Sequence, residues 1–239
     1  MTVQHVVPDV YAIPLGGVNA FLIAADELVL IDTGLPGNAE PILRAVRALG
    51  KQPADIRHML VTHCHPDHSG GLAALKAATG APAYMHPADA ALVRVGQSGR
   101  PLRPAPGLIP NLLFRLLMRG GPRAIEAAEI EHEVHDGDVL PIAGGIRAIH
   151  APGHCAGQLV FLWPRHGGVL FAGDAAANLM GLRLSIVYED LAEGQRSLAK
   201  IAGLDFAVAC FGHGSAITQG ASDQFKRRWA APVARGVGS

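Results

Sequence analysis

A chain of 239 residues, 49% of them hydrophobic, is long enough to bury one large α/β core without staples. Its 20 basic and 20 acidic side chains cancel, which gives no support for nucleic acid or an anionic membrane as a partner. Cys64, Cys155 and Cys210 make no disulfide framework, the Met1–His5 start has no apolar signal core, and no apolar run approaches a membrane span, so a soluble cytoplasmic protein is expected.

Val10–Ile13, Asn19–Ala24 and Leu28–Ile31 are β-rich runs broken by turn residues. Pro41–Leu49 is a predicted helix, with Pro41 in its first turn, Ile42, Val46 and Leu49 on one face, and Gly50 as its stop. Met59–Thr62 reads as a buried strand, and Leu72–Ala78 as an Ala-rich helix ended by Gly80. Residues 96–123 break the rhythm with five prolines and five arginines, while Leu112, Leu113, Leu116 and Leu117 keep helical spacing. They read as an inserted helical flap inside a single domain spanning 1–239. Its leucines are expected to pack on the core or in a homodimer, or else to line an acyl pocket. Its arginines are available to a carboxylate or phosphate.

Glu133–His135 and Val139–Ile142 are strands joined by an Asp136-Gly137 turn. Strands Ile146–His150, Leu159–Trp163 and Val169–Ala172, helix Leu191–Ile201, strand Ala207–Phe211 and helix Gln219–Trp229 follow, and the tail at 230–239 is expected to fray. There is a faint internal echo. Two apolar strands end in aspartate, at Asp32 and Asp174, and each is followed by a helix and then a strand ending in histidine, at His63 and His213.

The densest chemistry lies at 63–68, His-Cys-His-Pro-Asp-His. An extended backbone throws His63 and His65 to one side, whereas the adjacent Asp67 and His68 cannot share that direction. One segment therefore feeds two neighbouring metal positions. His154 in Gly153-His154, Asp174 in Gly173-Asp174 and His213 between Gly212 and Gly214 each stand where a strand gives way to a loop, where catalytic residues concentrate.

The order His63-x-His65-x-Asp67-His68, then His154, Asp174 and His213, with Leu30-Ile31-Asp32-Thr33-Gly34 upstream, resembles the metallo-β-lactamase superfamily. The resemblance implies an αββα four-layer sandwich. It also implies that His63, His65 and His154 hold one metal, that Asp67, His68 and His213 hold a second, and that Asp174 bridges them. Two divalent ions, Zn2+ by donor type with Fe or Mn as alternatives, would present a metal-bound hydroxide to the carbonyl of an ester, thioester or lactone. Asp67 would orient that nucleophile, and Asp32 would orient the ligands by hydrogen bonding.

In the true β-lactamases of this family the position matching Asp174 is cysteine or serine, so antibiotic hydrolysis is disfavoured. The aspartate is similar to that of glyoxalase II and the acyl-homoserine lactonases. Only residues 214–239 follow His213, too few for the helical glutathione-binding domain of glyoxalase II. Ala177 replaces the tyrosine of some lactonases, leaving Tyr188 as a candidate to reach the site. The alternative reaction is that of a persulfide dioxygenase, with a single iron on His63, His154 and Asp174. The remaining histidines, including His86 and His150, read as surface or strand-end residues, and Cys64 and Cys155 as small buried hydrophobes.

Overall fold

Strand residues carry apolar side chains on both faces. Leu28 and Leu30 share one core layer with Ile42, Val46, Leu72 and Leu75, whereas Val29 and Ile31 share another with Phe161, Trp163 and Phe171. Period-two alternation between two buried layers is what a continuous apolar strand run achieves when both faces are covered.

The computed structural model describes residues 3–117 and 124–230. In chain order the elements begin β1 (Gln4–Val7), β2 (Val10–Pro14), β3 (Asn19–Ala24), β4 (Leu28–Ile31), α1 (Ala39–Ala48), β5 (Ile56–Leu60), α2 (Pro66–Ser69) and α3 (Leu72–Thr79). Then come β6 (Ala83–Met85), α4 (Pro87–Val93), β7 (Arg103–Pro104), α5 (Leu108–Leu117), β8 (His132–Glu133), β9 (Val139–Leu140), β10 (Ile146–His150) and β11 (Leu159–Trp163). The remainder are β12 (Val169–Phe171), β13 (Val187–Tyr188), α6 (Leu191–Ala202), β14 (Val208–Cys210) and α7 (Ala221–Trp229).

The first sheet runs β1-β2-β3-β4-β5-β6-β8 and the second β14-β12-β11-β10-β9. The apolar layer between them includes Phe21, Ile31, Leu60, Phe161 and Phe171. Outside the first sheet lie α1 and α3; outside the second, Val160 and Leu170 meet Leu198 and Ile201 of α6 and Phe225 of α7. This is the αββα sandwich. The echo between the halves is structural: β4 pairs parallel with β5 across α1, and β12 pairs parallel with β14 across α6.

The Asp136-Gly137 turn does not join two strands of one sheet. β8 pairs parallel with β6 in the first sheet, whereas β9 pairs with β10 in the second. Each strand's partner lies elsewhere in the chain, so the turn marks the crossing between sheets, with Gly137 N bonded to Ala148 O. Helices α2 and α4, both opened by a proline, and the short strands β1, β6, β7 and β13 are absent from the sequence reading.

The flap contains α5, but its apolar face does not pack on the core. Leu108 is 90% exposed, and Ile109, Leu112 and Leu116 are also exposed. Both ends are anchored, through β7 pairing with β13 and through Ile125 N bonding Gly96 O. The flap residues 118–123, with Arg119, Pro122 and Arg123, and the tail at 231–239 lie outside the described residues. No described helix is long and apolar enough to cross a membrane.

Candidate metal centre

β4, β5, β10, β12 and β14 all deliver their C-terminal ends to one end of the sandwich, and the loops there carry every predicted site residue. Asp32 ends β4 in a left-handed conformation, φ 60°, which aspartate tolerates better than most residues. Its buried carboxylate accepts Thr62 N at 2.8 Å and bonds His68 Nδ1 at 2.8 Å. Thr62 Oγ1 donates to Asp32 at 2.9 Å and stands 3.0 Å from His63 Nδ1. One carboxylate thus contacts His68 directly and His63 through a hydroxyl.

After β5 the chain leaves the sheet and bends at Cys64 and His65; His65 itself has extended dihedrals, and Pro66 opens α2. His63 and His65 meet across this bend rather than along an extended strand, and the helical turn redirects Asp67 and His68. His63 Nε2 lies 3.1 Å from His65 Nδ1, which lies 2.9 Å from His154 Nε2. On the other side, Asp67 Oδ2 is 3.3 Å from His213 Nε2 and 3.8 Å from His68 Nε2. Asp174 stands between the trios, with Oδ1 3.4 Å from His68 Nε2, and Oδ2 3.5 Å from His154 Nε2 and 3.2 Å from His213 Nε2.

Tautomers follow from the outer contacts. His154 Nδ1 donates to Val187 O and His213 Nδ1 to Gly17 O, so each Nε2 faces inward. Glycine is required at 212, where a Cβ would stand 2.3 Å from Asp174 Oδ1 and 2.5 Å from His68 Cε1. Thr62 and these carbonyls were not singled out in the sequence, and Gly212 entered only as the neighbour of His213. Carbonyl contributions of this kind leave no side-chain signal.

Burial and the neighbouring histidines hold His63 well below its ordinary pKa, and burial with His154 takes His65 down to about 3. Burial lowers His154 as well. These three are neutral nitrogen donors. The carboxylate side is opposite in sign: Asp174 raises His213 to about 11, and Asp174, Asp32 and Asp67 overcome burial to raise His68. Buried His68 Nε2 and Asp174 Oδ1 have no hydrogen-bond partner. Neutral imidazoles on one side, two carboxylates on the other and orphaned inward-facing atoms suit divalent cations. His63, His65 and His154, then His63, His68 and Asp174, then Asp67, His68 and His213 each gather donor atoms within 4.8 Å.

Other candidates fall elsewhere. Tyr188 is buried behind His154 with its hydroxyl accepting Ser185 N, so it does not reach the groove. Arg100 of the flap meets the protein's own Asp89 and Glu189. His86 stacks on His150 at 4.0 Å, and its Nδ1 accepts Ala88 N at the start of α4.

A sandwich with histidines and carboxylates gathered at one end of its two sheets defines a class of metal-binding α/β proteins. The metallo-beta-lactamase superfamily model matches residues 13–213, and the chain belongs to that superfamily. It is similar to thioesterase pkgB of Emericella nidulans, 29% identical over 85% of this chain and 47% of the relative. It is also similar to a hydroxyacylglutathione hydrolase of Albidiferax ferrireducens, 33% identical over 58% of this chain and 40% of the relative. A metallo-beta-lactamase of Cronobacter sakazakii shares the fold, with TM-score 0.70 and 21% identity over 89% of this chain and 78% of that one. The chain spans about half the length of the first curated relatives it matches, 53% and 51%.

Proposed function

We propose that this chain is a two-metal hydrolase of an ester, thioester or lactone carbonyl. One observation carries the reading: Asp174 stands between a neutral histidine trio and a second trio containing Asp67, within 3.5 Å of His68, His154 and His213. His63, His65 and His154 would hold one ion, Asp67, His68 and His213 the other, and Asp174 both. Zinc suits these donors, and a bound pair supplies Lewis acidity for the carbonyl oxygen and acidifies a water.

The chain's own residues supply orientation. The Asp67 side chain is 29% exposed, the most open among the proposed ligand carboxylates, so it faces arriving water and substrate. Burial pushes its carboxyl upward, but His68 and His213 outweigh this and hold it below the usual carboxylate range. Asp67 is therefore a hydrogen-bond acceptor that orients the nucleophile and keeps a proton only briefly. Asp32 and Thr62 fix the imidazoles, and Val187 O and Gly17 O fix the tautomers of His154 and His213.

The single-iron alternative needs only His63, His154 and Asp174; the gathering of Asp67, His68 and His213 supports two ions instead. Relatives named as a thioesterase and a hydroxyacylglutathione hydrolase make thioesters the first substrates to try. The test is hydrolysis by the metal-free chain reloaded with zinc, iron or manganese. The panel comprises acyl-coenzyme A, S-lactoylglutathione, acyl-homoserine lactones, aryl esters, a phosphodiester and a cephalosporin. Turnover of a carbonyl substrate requiring two equivalents of metal is expected. Sulfite formation from a persulfide with one iron would replace this reading.

A further inference from the structure

Behind the histidine trio lies a buried cluster that hydrolysis itself does not use. Asp89, on the first turn of α4, is fully buried. Its Oδ2 accepts Cys64 N and the Cys155 thiol, each at 3.0 Å. Its Oδ1 accepts Gly157 N at 3.0 Å and Arg100 Nη1 at 2.9 Å. Cys64 lies between His63 and His65, and Cys155 follows His154. A single carboxylate therefore ties together the loops that carry all three ligands of the first position. Gly157 is part of the design, because a Cβ there would stand 2.4 Å from Asp89 Cγ.

Arg100 keeps this buried charge compensated. It also bonds Ala88 O, and its Nη1 lies 3.3 Å from Glu189 Oε1. Glu189 accepts Ala156 N at 2.9 Å, and its own N–H bonds His154 O. A Glu189 oxygen, the Cys155 sulfur and a His65 ring nitrogen lie within 4.8 Å of one another. Among the described residues no such cluster reaches the second trio, whose outer contacts run to Asp32 and Gly17.

We infer that Asp89, bridged to Glu189 by Arg100, is the positioning residue of the first metal position and sets the geometry of His63, His65 and His154. The inference rests on the two-metal reading above. A buried carboxylate with four donors holds its loops rigidly, and outer partners of ligands typically govern metal affinity by about 10–100-fold. Arg100 lies in the flap segment, so the start of the flap is tied to this cluster.

The test is metal binding by the full chain, stripped with chelator and titrated with zinc against a chromophoric competitor, with cobalt absorption as a second readout. Asp89→Asn keeps the shape but turns an amide N–H toward groups that are themselves donors. It should weaken the first position by about 10–100-fold and leave the second within about threefold. Glu189→Gln, a milder change, should weaken the first position by a smaller factor, and it decides the matter should Asp89→Asn not fold. Equal weakening at both positions, or an unchanged first position, would overturn the inference alone. A wild-type chain that takes up no metal would overturn it together with the two-metal reading.

Discussion

The two candidate trios would hold a cation in different ways. His63, His65 and His154 are buried and neutral and include no carboxylate among themselves, so their convergence depends on the scaffold: Thr62 and Asp32 on one side, Asp89 and its partners on the other. Asp67, His68 and His213 sit with Asp174 in a field of negative charge, and both Asp67 and His213 are partly open. Their cation affinity follows from charge more than from packing. A neutral trio must be positioned, whereas an anionic one attracts its ion over a longer range.

The largest effect should come from the residue shared by both. Asp174→Ala should reduce bound metal from two ions to one per chain by elemental analysis and lower turnover by more than about 100-fold. Full occupancy with normal turnover would refute the bridging role. Asp32→Asn reaches both trios, through His68 directly and through Thr62 to His63, so both affinities should fall by about 10–100-fold in the same competition titration. An effect confined to one position would show that only one of the two contacts matters.

Gly212→Ala adds a Cβ against Asp174, shared by both positions, and His68, which belongs to the second alone, so it should weaken the second position by about tenfold and the first by a smaller factor. Equal losses would show that the trios cannot be separated.

Proton linkage distinguishes them in the metal-free chain. His65 has a folded pKa of about 3 against an ordinary 6.5, so below 6.5 the unfolded chain binds the extra proton and stability falls toward pH 3. His213, at about 11, contributes stability fully below 6.5 and loses it as pH rises toward 11. Thermal melting of the metal-free protein should therefore peak near pH 6.5, the ordinary value for both groups. A monotonic profile would contradict the opposite shifts.

The smallest effect belongs to the flap. Leu112→Ser removes an exposed side chain of α5, so stability should change by less than about 0.5 kcal/mol. If α5 contacts acyl chains, KM should rise for long substrates more than for short ones. A uniform rise would remove that idea, and a larger loss of stability would mean that α5 is covered in solution.

Much of this was legible before any coordinates. The apolar runs at Leu28–Ile31 and Leu159–Trp163 encode strands, and the spacing at 63–68 encodes two side-chain directions. Both are short-range facts of backbone geometry. The Asp136-Gly137 turn misled because turn chemistry fixes a local reversal, whereas sheet membership depends on which distant strand has a free edge. The exposed face of α5 could not be foreseen either, since helical spacing shows that a face exists but not what covers it.

The sequence by itself determined most of the strands and helices and the side chains that stand at their ends, because periodicity and side-chain chemistry are written residue by residue, whereas the sandwich was implied only by the family resemblance. Only the tertiary structure decided which groups hold those donors in place. Thr62, Gly17, Val187, Gly212 and the Asp89–Arg100–Glu189 cluster act across separations of tens to hundreds of residues, through carbonyls, missing side chains and buried charge. Such contacts exist only once the two sheets have packed.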